Sequence, residues 1–306
     1  MLAMLDLLET KYQSIVRSMQ SLSPSTPTPA VYLMMAALPL AAERDIQILR
    51  LLGQLAICDR DLQSVSDILE NNLGEEDIHF AGWSGLARRT TSLYGLPDPL
   101  ELFQNPWDSD RWSQFSKKAV IKYWTTLLQN NAASYTSLDM LDTSRLNLSS
   151  PHPIWTAAGT NPVSVTKATV VTWLLLNLYK TSERLFKMRK TKSPECILCL
   201  APVEDQLHFT LKCPVLFTIR SQYINEFIEL CPGITKYISD ERVFLLSLLD
   251  PFSPLVPADV RDSWKDSDKV YKTSRNFFYD LHKKREKIIE KKETDKTNII
   301  VTLSYN

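Results

Sequence analysis

The chain has 306 residues, 44% of them hydrophobic, and its 35 basic side chains balance 35 acidic ones. That apolar content is enough for a packed core and excludes global disorder, while seven glycines are too few for a turn-rich β architecture or for glycine-rich phosphate loops. The balance is uneven: residues 1–130 carry 11 basic and 15 acidic side chains and the remainder 24 and 20, which places any nucleic-acid contact in the second part.

The start, MLAMLDLLETKY, has no basic n-region, and Asp6 and Glu9 interrupt its apolar stretch, so no secretory signal is expected. Apolar residues at helical spacing (Leu5, Leu8, Tyr12, Ile15, Met19, Leu22) predict an amphipathic helix over 2–22 that begins without a preceding cap and ends at the SPSTPTP segment. The next block, 30–58, is divided by Pro39 and offers Ile46, Leu49, Leu52 and Ile57 as core candidates. Its apolar run is too short to span a bilayer. A short helix over 64–73 is stopped by Gly74, and another over 84–96 by Gly95-Leu-Pro97. Asp108 or Asp110 can cap the helix that follows, with Trp112, Phe115, Ala119, Val120, Tyr123, Trp124, Leu127 and Leu128 on its apolar face and Lys117, Lys118 and Lys122 on the other.

Residues 131–163 are polar and proline-broken, a loop region with Trp155 as anchor. The chain turns apolar through VVTWLLLNLY and then basic: Lys180, Arg184, Lys187, Arg189, Lys190 and Lys192 stand against the single acid Glu183, with Phe186 among them. After Cys213, Pro214 is placed to open a helix that buries Leu216, Phe217, Tyr223, Ile224, Phe227 and Leu230. A helix over 241–249 and a final one over 266–292 follow. The latter starts with a buried stripe of Val270, Ser274, Phe277 and Leu281 and ends in HKKREKIIEKKETDK, expected to fray into solvent. His79, His152 and His282 read as isolated surface residues. The fold expected is mainly α, with at most a small hairpin at the cysteines. It divides into a helical region over 1–130, a loop and basic helix over 131–191, a cysteine-bearing subdomain over 192–232 and a C-terminal helical region over 233–306.

Three of the five cysteines and one of the four histidines fall within eighteen positions, as Cys196-x2-Cys199-x8-His208-x4-Cys213. Two thiolates two residues apart grip an ion from one turn, and a histidine and a third cysteine close a tetrahedron of the kind Zn²⁺ prefers. On one continuous α-helix His208 and Cys213 would lie roughly 140° apart in azimuth, so a break between them is required, and Pro214 supplies one by excluding Cys213 from helical geometry. Glu204 and Asp205 suit the start of the short helix carrying His208. Four protein donors leave no open position, so one structural Zn²⁺ is the expected cofactor, and no catalytic residue is assigned. Few cysteines outside this motif suit a reducing compartment, and an intracellular protein, nuclear or cytoplasmic, without a membrane partner, is expected.

The stretch SPECILCLAPVEDQLHFTLKCPVLFTIR resembles the zinc-binding segment that follows the reverse transcriptase domain in non-LTR (LINE-type) retrotransposon polyproteins. Cys196, Cys199, Glu204, Asp205, His208, Cys213, Pro214 and Arg220 match its pattern. TPTPAVYLMMAALPLAAERDIQILRLLG, KKAVIKYWTTLL and LNLSSPHPIW are similar to the connector that precedes that segment, so the resemblance spans roughly residues 10–232. It implies a C-terminal piece of such a polyprotein, a degraded copy or a co-opted gene, with a role in holding RNA or DNA. The paired aspartates on which the family's polymerase holds two Mg²⁺ ions are missing, since no Asp-Asp pair occurs. Beside that implication the residues offer two functions: a non-catalytic nucleic-acid module using Lys180, Arg184, Phe186, Lys187, Arg189, Lys190 and Lys192, or a helical scaffold for protein partners or self-association in which the metal is a staple.

Overall fold

The computed structural model describes residues 2–58 and 82–304. The expected helix over 64–73 with its Gly74 stop, and His79, lie outside the described residues. The fold is mainly α: α1 (Leu2–Met19), α2 (Thr28–Met35), α3 (Leu40–Cys58), α4 (Trp83–Leu93), α5 (Pro99–Gln104), α6 (Ser109–Ala132), α7 (Pro162–Leu175), α8 (Ser182–Lys187), α9 (Phe217–Leu230), α10 (Glu241–Leu249) and α11 (Ser267–Ser304), joined by single turns of helix and loops. Among the described residues there is no strand, only an isolated bridge between Asn147 and Ser150, and the cysteines sit on turns, within the bound of at most a small hairpin. No helix of the described residues is long and apolar enough to cross a membrane.

The chain forms two compact units that cut across the segments read from sequence: Met1–Val16, Val31–Ala132 and Leu146–Pro151 in the first, Arg17–Ala30, Ala133–Arg145 and His152–Asn306 in the second. The first unit is built on α3 and α6. Leu49, Leu52 and Trp112 are buried at their contact, where the indole N–H donates to the Leu49 carbonyl (2.7 Å). Gly53 is what admits the indole, because a Cβ there would stand 2.1 Å from Trp112 Cδ1. The buried Asp45 carboxylate accepts from Tyr94 (2.6 Å) and from Arg44, and Tyr94 accepts in turn from the Trp124 indole (3.0 Å), so the polar groups inside this core are satisfied. Asp108 caps α6 through the Asp110 and Arg111 amides. Three readings fail here. Leu8 and Ile15 of α1, Ile57 of α3, and Phe115 and Tyr123 of α6 are exposed, because each helix packs through a narrower stripe than its apolar residues would allow.

In the second unit α7, α9 and α11 pack around Val170, Leu174, Phe227, Leu230, Phe277, Phe278 and Leu281, all buried. Asn161 caps α7 by accepting from the Val163 and Ser164 amides, with Pro162 as its first residue. The stripe Val270, Ser274, Phe277, Leu281 is buried as its spacing predicts. Phe217, expected inside, is exposed, since the chain is still emerging from a 3₁₀ turn over Pro214–Leu216 when it is reached. His152 is not at the surface. It is buried, its Nδ1 accepts from the Ile154 amide (3.1 Å), and its Nε2 lies 3.3 Å from the buried Asp250 carboxylate, which also takes Arg145 and the Tyr271 hydroxyl (3.3 Å). Nε2 also lies 3.1 Å from the Arg145 guanidinium, so His152, Arg145 and Asp250 form one buried cluster. Burial pushes the Asp250 carboxyl up, but His152 and Arg145 outweigh it, so it lies below the usual carboxylate range. His282 is also partly buried, 3.1 Å from the Tyr179 hydroxyl.

Candidate metal centre

The four residues of the Cys/His motif come together in the second unit. One donor atom from each of Cys196, Cys199, His208 and Cys213 lies within 4.8 Å of the others, so the cluster can bind one metal ion. Cys196 Sγ and Cys213 Sγ are 4.0 Å apart, and Cys199 Sγ and His208 Nε2 3.3 Å. Cys196 and Cys213 are fully buried, the other two partly so.

Local structure explains the convergence. The first pair sits on a tight turn: the Leu200 amide donates to the Cys196 carbonyl and the Cys196 amide to that of Ala201, both at 2.8 Å. Leu200 takes the left-handed region (φ 64°) with its side chain in solvent. The second pair is set by a π turn over His208–Lys212, closed by a 2.7 Å bond from the Cys213 amide to the His208 carbonyl. An i→i+5 bond widens the turn, so residues five apart come nearly into register, which an α-helix would deny them. Cys213 then leaves helical geometry (ψ 119°) before Pro214. Asp205 opens this element as expected, accepting from the His208 amide at 2.6 Å. Arg220 is buried and spans the far end of the turn, donating to the carbonyls of Thr210 (3.0 Å) and Cys213 (2.8 Å).

Burial pushes the Cys196 thiol up to about 12 and raises that of Cys213 as well. A bound cation reverses this, because a coordinating thiol is deprotonated outright, and metal binding therefore releases protons.

Glu204 does not act at the helix start with Asp205. It is fully buried, and one oxygen accepts from the Ser182 amide (2.8 Å) and hydroxyl (2.6 Å). Arg285 of α11 grips both oxygens, each at 2.9 Å. Burial pushes this carboxyl up, but Arg285 and Ser182 outweigh it and hold it low. Tyr179 stacks on Phe209 (4.5 Å, 13°) under the Arg285 guanidinium. The stretch expected to fray thus contributes a buried arginine, and beyond it Lys292 donates to the Ile197 carbonyl (2.5 Å). Sequence reasoning missed Ser182, Phe209 and Arg285. For Arg285 a signal exists: it follows Leu281 by four and continues the buried stripe by one turn.

The basic run is not one helix. α8 ends at Lys187, and Arg189 turns left-handed (φ 56°). Lys180, Phe186, Lys187, Arg189, Lys190 and Lys192 are exposed. Lys187 pairs with Glu183 (2.6 Å), whereas Arg189, Lys190 and Lys192 have no ion pair among the described residues. Arg184 is not available in the same way, since its guanidinium donates to the Asn177 carbonyl. No family model, curated protein or solved structure matches this chain.

Proposed function

We propose that the protein is a non-catalytic, zinc-stabilised nucleic-acid-binding module of the retrotransposon reverse transcriptase type. The observation that carries it is the joining of an exposed basic turn, Arg189 to Lys192, to a closed Cys₃His cluster only four residues later. Tetrahedral zinc, with Zn–S of about 2.3 Å and Zn–N of about 2.0–2.1 Å, requires S···S edges of about 3.8 Å and S···N edges of about 3.6 Å. Two of the six edges, at 4.0 Å and 3.3 Å, lie near these values and all six lie within 4.8 Å, and soft thiolates with one imidazole favour Zn²⁺ over harder ions. The resemblance of the cysteine segment and its flanks to the non-LTR family supports the same reading.

The test has two arms. Elemental analysis of the purified protein is expected to give one zinc per chain, and its absence would sink the metal assignment. Affinity for a single-stranded oligonucleotide is expected to fall steeply with salt, and R189A/K190A/K192A to flatten the slope by about 2, from roughly 0.7 per phosphate contact. No binding at low salt refutes the nucleic-acid reading. The apolar groove of the first unit, about 690 Å³ and lined by Leu93, Phe115, Tyr123 and Leu127, favours the second reading, a protein-interaction scaffold. Self-association or a protein partner without nucleic-acid retention would decide for it.

A further inference from the structure

Beside the basic turn the second unit holds a cleft of about 470 Å³, within the 300–1,000 Å³ or so typical of small-molecule sites. One wall is Trp173. Its indole N–H donates to the Ser21 carbonyl at 2.9 Å, which fixes the ring by its edge, and the ring stands at 82° to that of His282, 5.8 Å away. Ser21 takes the left-handed region (φ 52°), and the turn it makes brings Leu22 and Pro24 into the lining. Lys180 and Lys190 complete the cleft together with Arg285 and Glu286. Arg285 is matched by Glu204 and also lies 3.3 Å from Glu286, so three cations face two carboxylates and the site keeps one net positive charge. Lys180 and Lys190 have no ion pair among the described residues and are the ammonium groups left to meet an anion.

A fixed aromatic wall with apolar neighbours takes a planar base, and paired ammonium groups take a phosphate. We propose that this cleft binds one nucleotide unit, its base against Trp173 and its phosphate between Lys180 and Lys190. For a unit within a strand this rests on the nucleic-acid reading above; for a free nucleotide it does not. The cleft would add Trp173, Leu22 and Pro24, none of them legible as binding residues in the sequence, to the basic turn.

The test uses the full chain. Anisotropy of a labelled single-stranded oligonucleotide is measured with wild type, W173L, W173F and K180A/K190A, and AMP is titrated separately while the indole N–H resonance of Trp173, assigned by its loss in W173F, is followed. W173L is expected to weaken oligonucleotide binding roughly 5- to 100-fold, the worth of stacking one base, without changing the salt slope. W173F should restore most of the loss, and K180A/K190A should lower the slope by about 1.4. If W173L does not fold, the AMP titration against the Trp173 resonance still decides. An AMP-shifted Trp173 resonance without oligonucleotide binding makes the cleft a free-nucleotide site, and the nucleic-acid reading then falls alone. Oligonucleotide binding that W173L does not weaken, with a Trp173 resonance indifferent to AMP, overturns the cleft and leaves the reading standing. No response in either arm overturns both.

Discussion

Replacing Arg285 by Met removes the guanidinium while keeping much of its aliphatic volume. What remains is a fully buried Glu204 carboxylate that has lost two hydrogen bonds of 2.9 Å and its only buried counter-charge among the described residues. Removing one partner of a buried pair costs about 3–5 kcal/mol. Because Ser182 still donates twice, the lower end applies, about 3 kcal/mol, or some 6–12 °C in Tm for a unit of this size. Adding E204Q to R285M should recover more than half of the loss, since the buried charge itself is then gone. The pH dependence follows from the direction of the shift. Glu204 is held below its unfolded value of about 4.3, so in the wild type the stability from this pair is complete above that value and is lost as pH falls through the folded one. In R285M the guanidinium no longer outweighs burial, so the carboxyl rises relative to wild type and lowering the pH favours its neutral form. The gap between the two proteins should therefore be widest near neutrality and narrow toward acid. Urea unfolding in zinc-containing buffer at both pH values measures it. A gap below about 1 kcal/mol at pH 7, or one that is unchanged at pH 5, would refute the assignment of Glu204–Arg285 as a buried pair.

R220M should lower metal affinity about 10- to 100-fold by freeing the carbonyls of Thr210 and Cys213 that shape the π turn, and R220K should not rescue it, because one ammonium cannot replace the planar fork; chelator competition reads this, and unchanged affinity counts against the turn as a determinant. G53A should destabilise the first unit by about 1–3 kcal/mol, since its Cβ would stand 2.1 Å from an indole pinned to Leu49; a thermal melt that matches wild type would show that Trp112 can move. D250N should cost about 3 kcal/mol near neutrality by leaving Arg145 without its carboxylate. Asp250 is held low in the fold, so its contribution is present above about pH 4 and lost as pH falls below that, and the variant's stability should be flatter than wild type on the acid limb; parallel acid limbs would contradict it.

Periodicity and caps were legible because they depend on neighbours within a turn or two. Val270, Ser274, Phe277 and Leu281 are inside where their spacing puts them, and Asp108 and Asp205 accept the amides their positions suggest. The metal motif was legible for the same reason, with all four donors within eighteen positions. What failed depends on partners far away in the chain. Arg285 sits in a run of lysines and glutamates, and distant partners make it an interior residue: Glu204, 81 residues earlier, and the Tyr179–Phe209 stack. His152 meets Asp250 across 98 positions. Exposure of Leu8 and Phe115 has the same origin: an apolar face states that burial is favourable, while the opposing surface decides whether it happens.

With an ion bound, the Cys/His cluster and the Glu204–Arg285 pair would fasten one loop at two points. The cluster would tie the turn at Cys196 and Cys199 to the π turn that carries His208 and precedes Cys213. The pair ties the middle of the same loop to α8 and α11, and the Glu204 backbone adds bonds to Pro194 (2.8 Å) and Glu183 (3.1 Å). Without metal, His208 and Cys213 lose what holds them to the first pair, while Glu204 keeps every partner it has. The loop would then open on either side of position 204 and stay anchored at it. That asymmetry separates the two fasteners experimentally. Chelation should raise amide exchange at 196–200 and 208–213 and spare Glu183 and Glu204, and R285M should raise it first at 182–183 and 204. Uniform exchange after chelation would mean that the ion alone holds the loop, and that the buried pair is a consequence of metal binding and not a second, independent anchor.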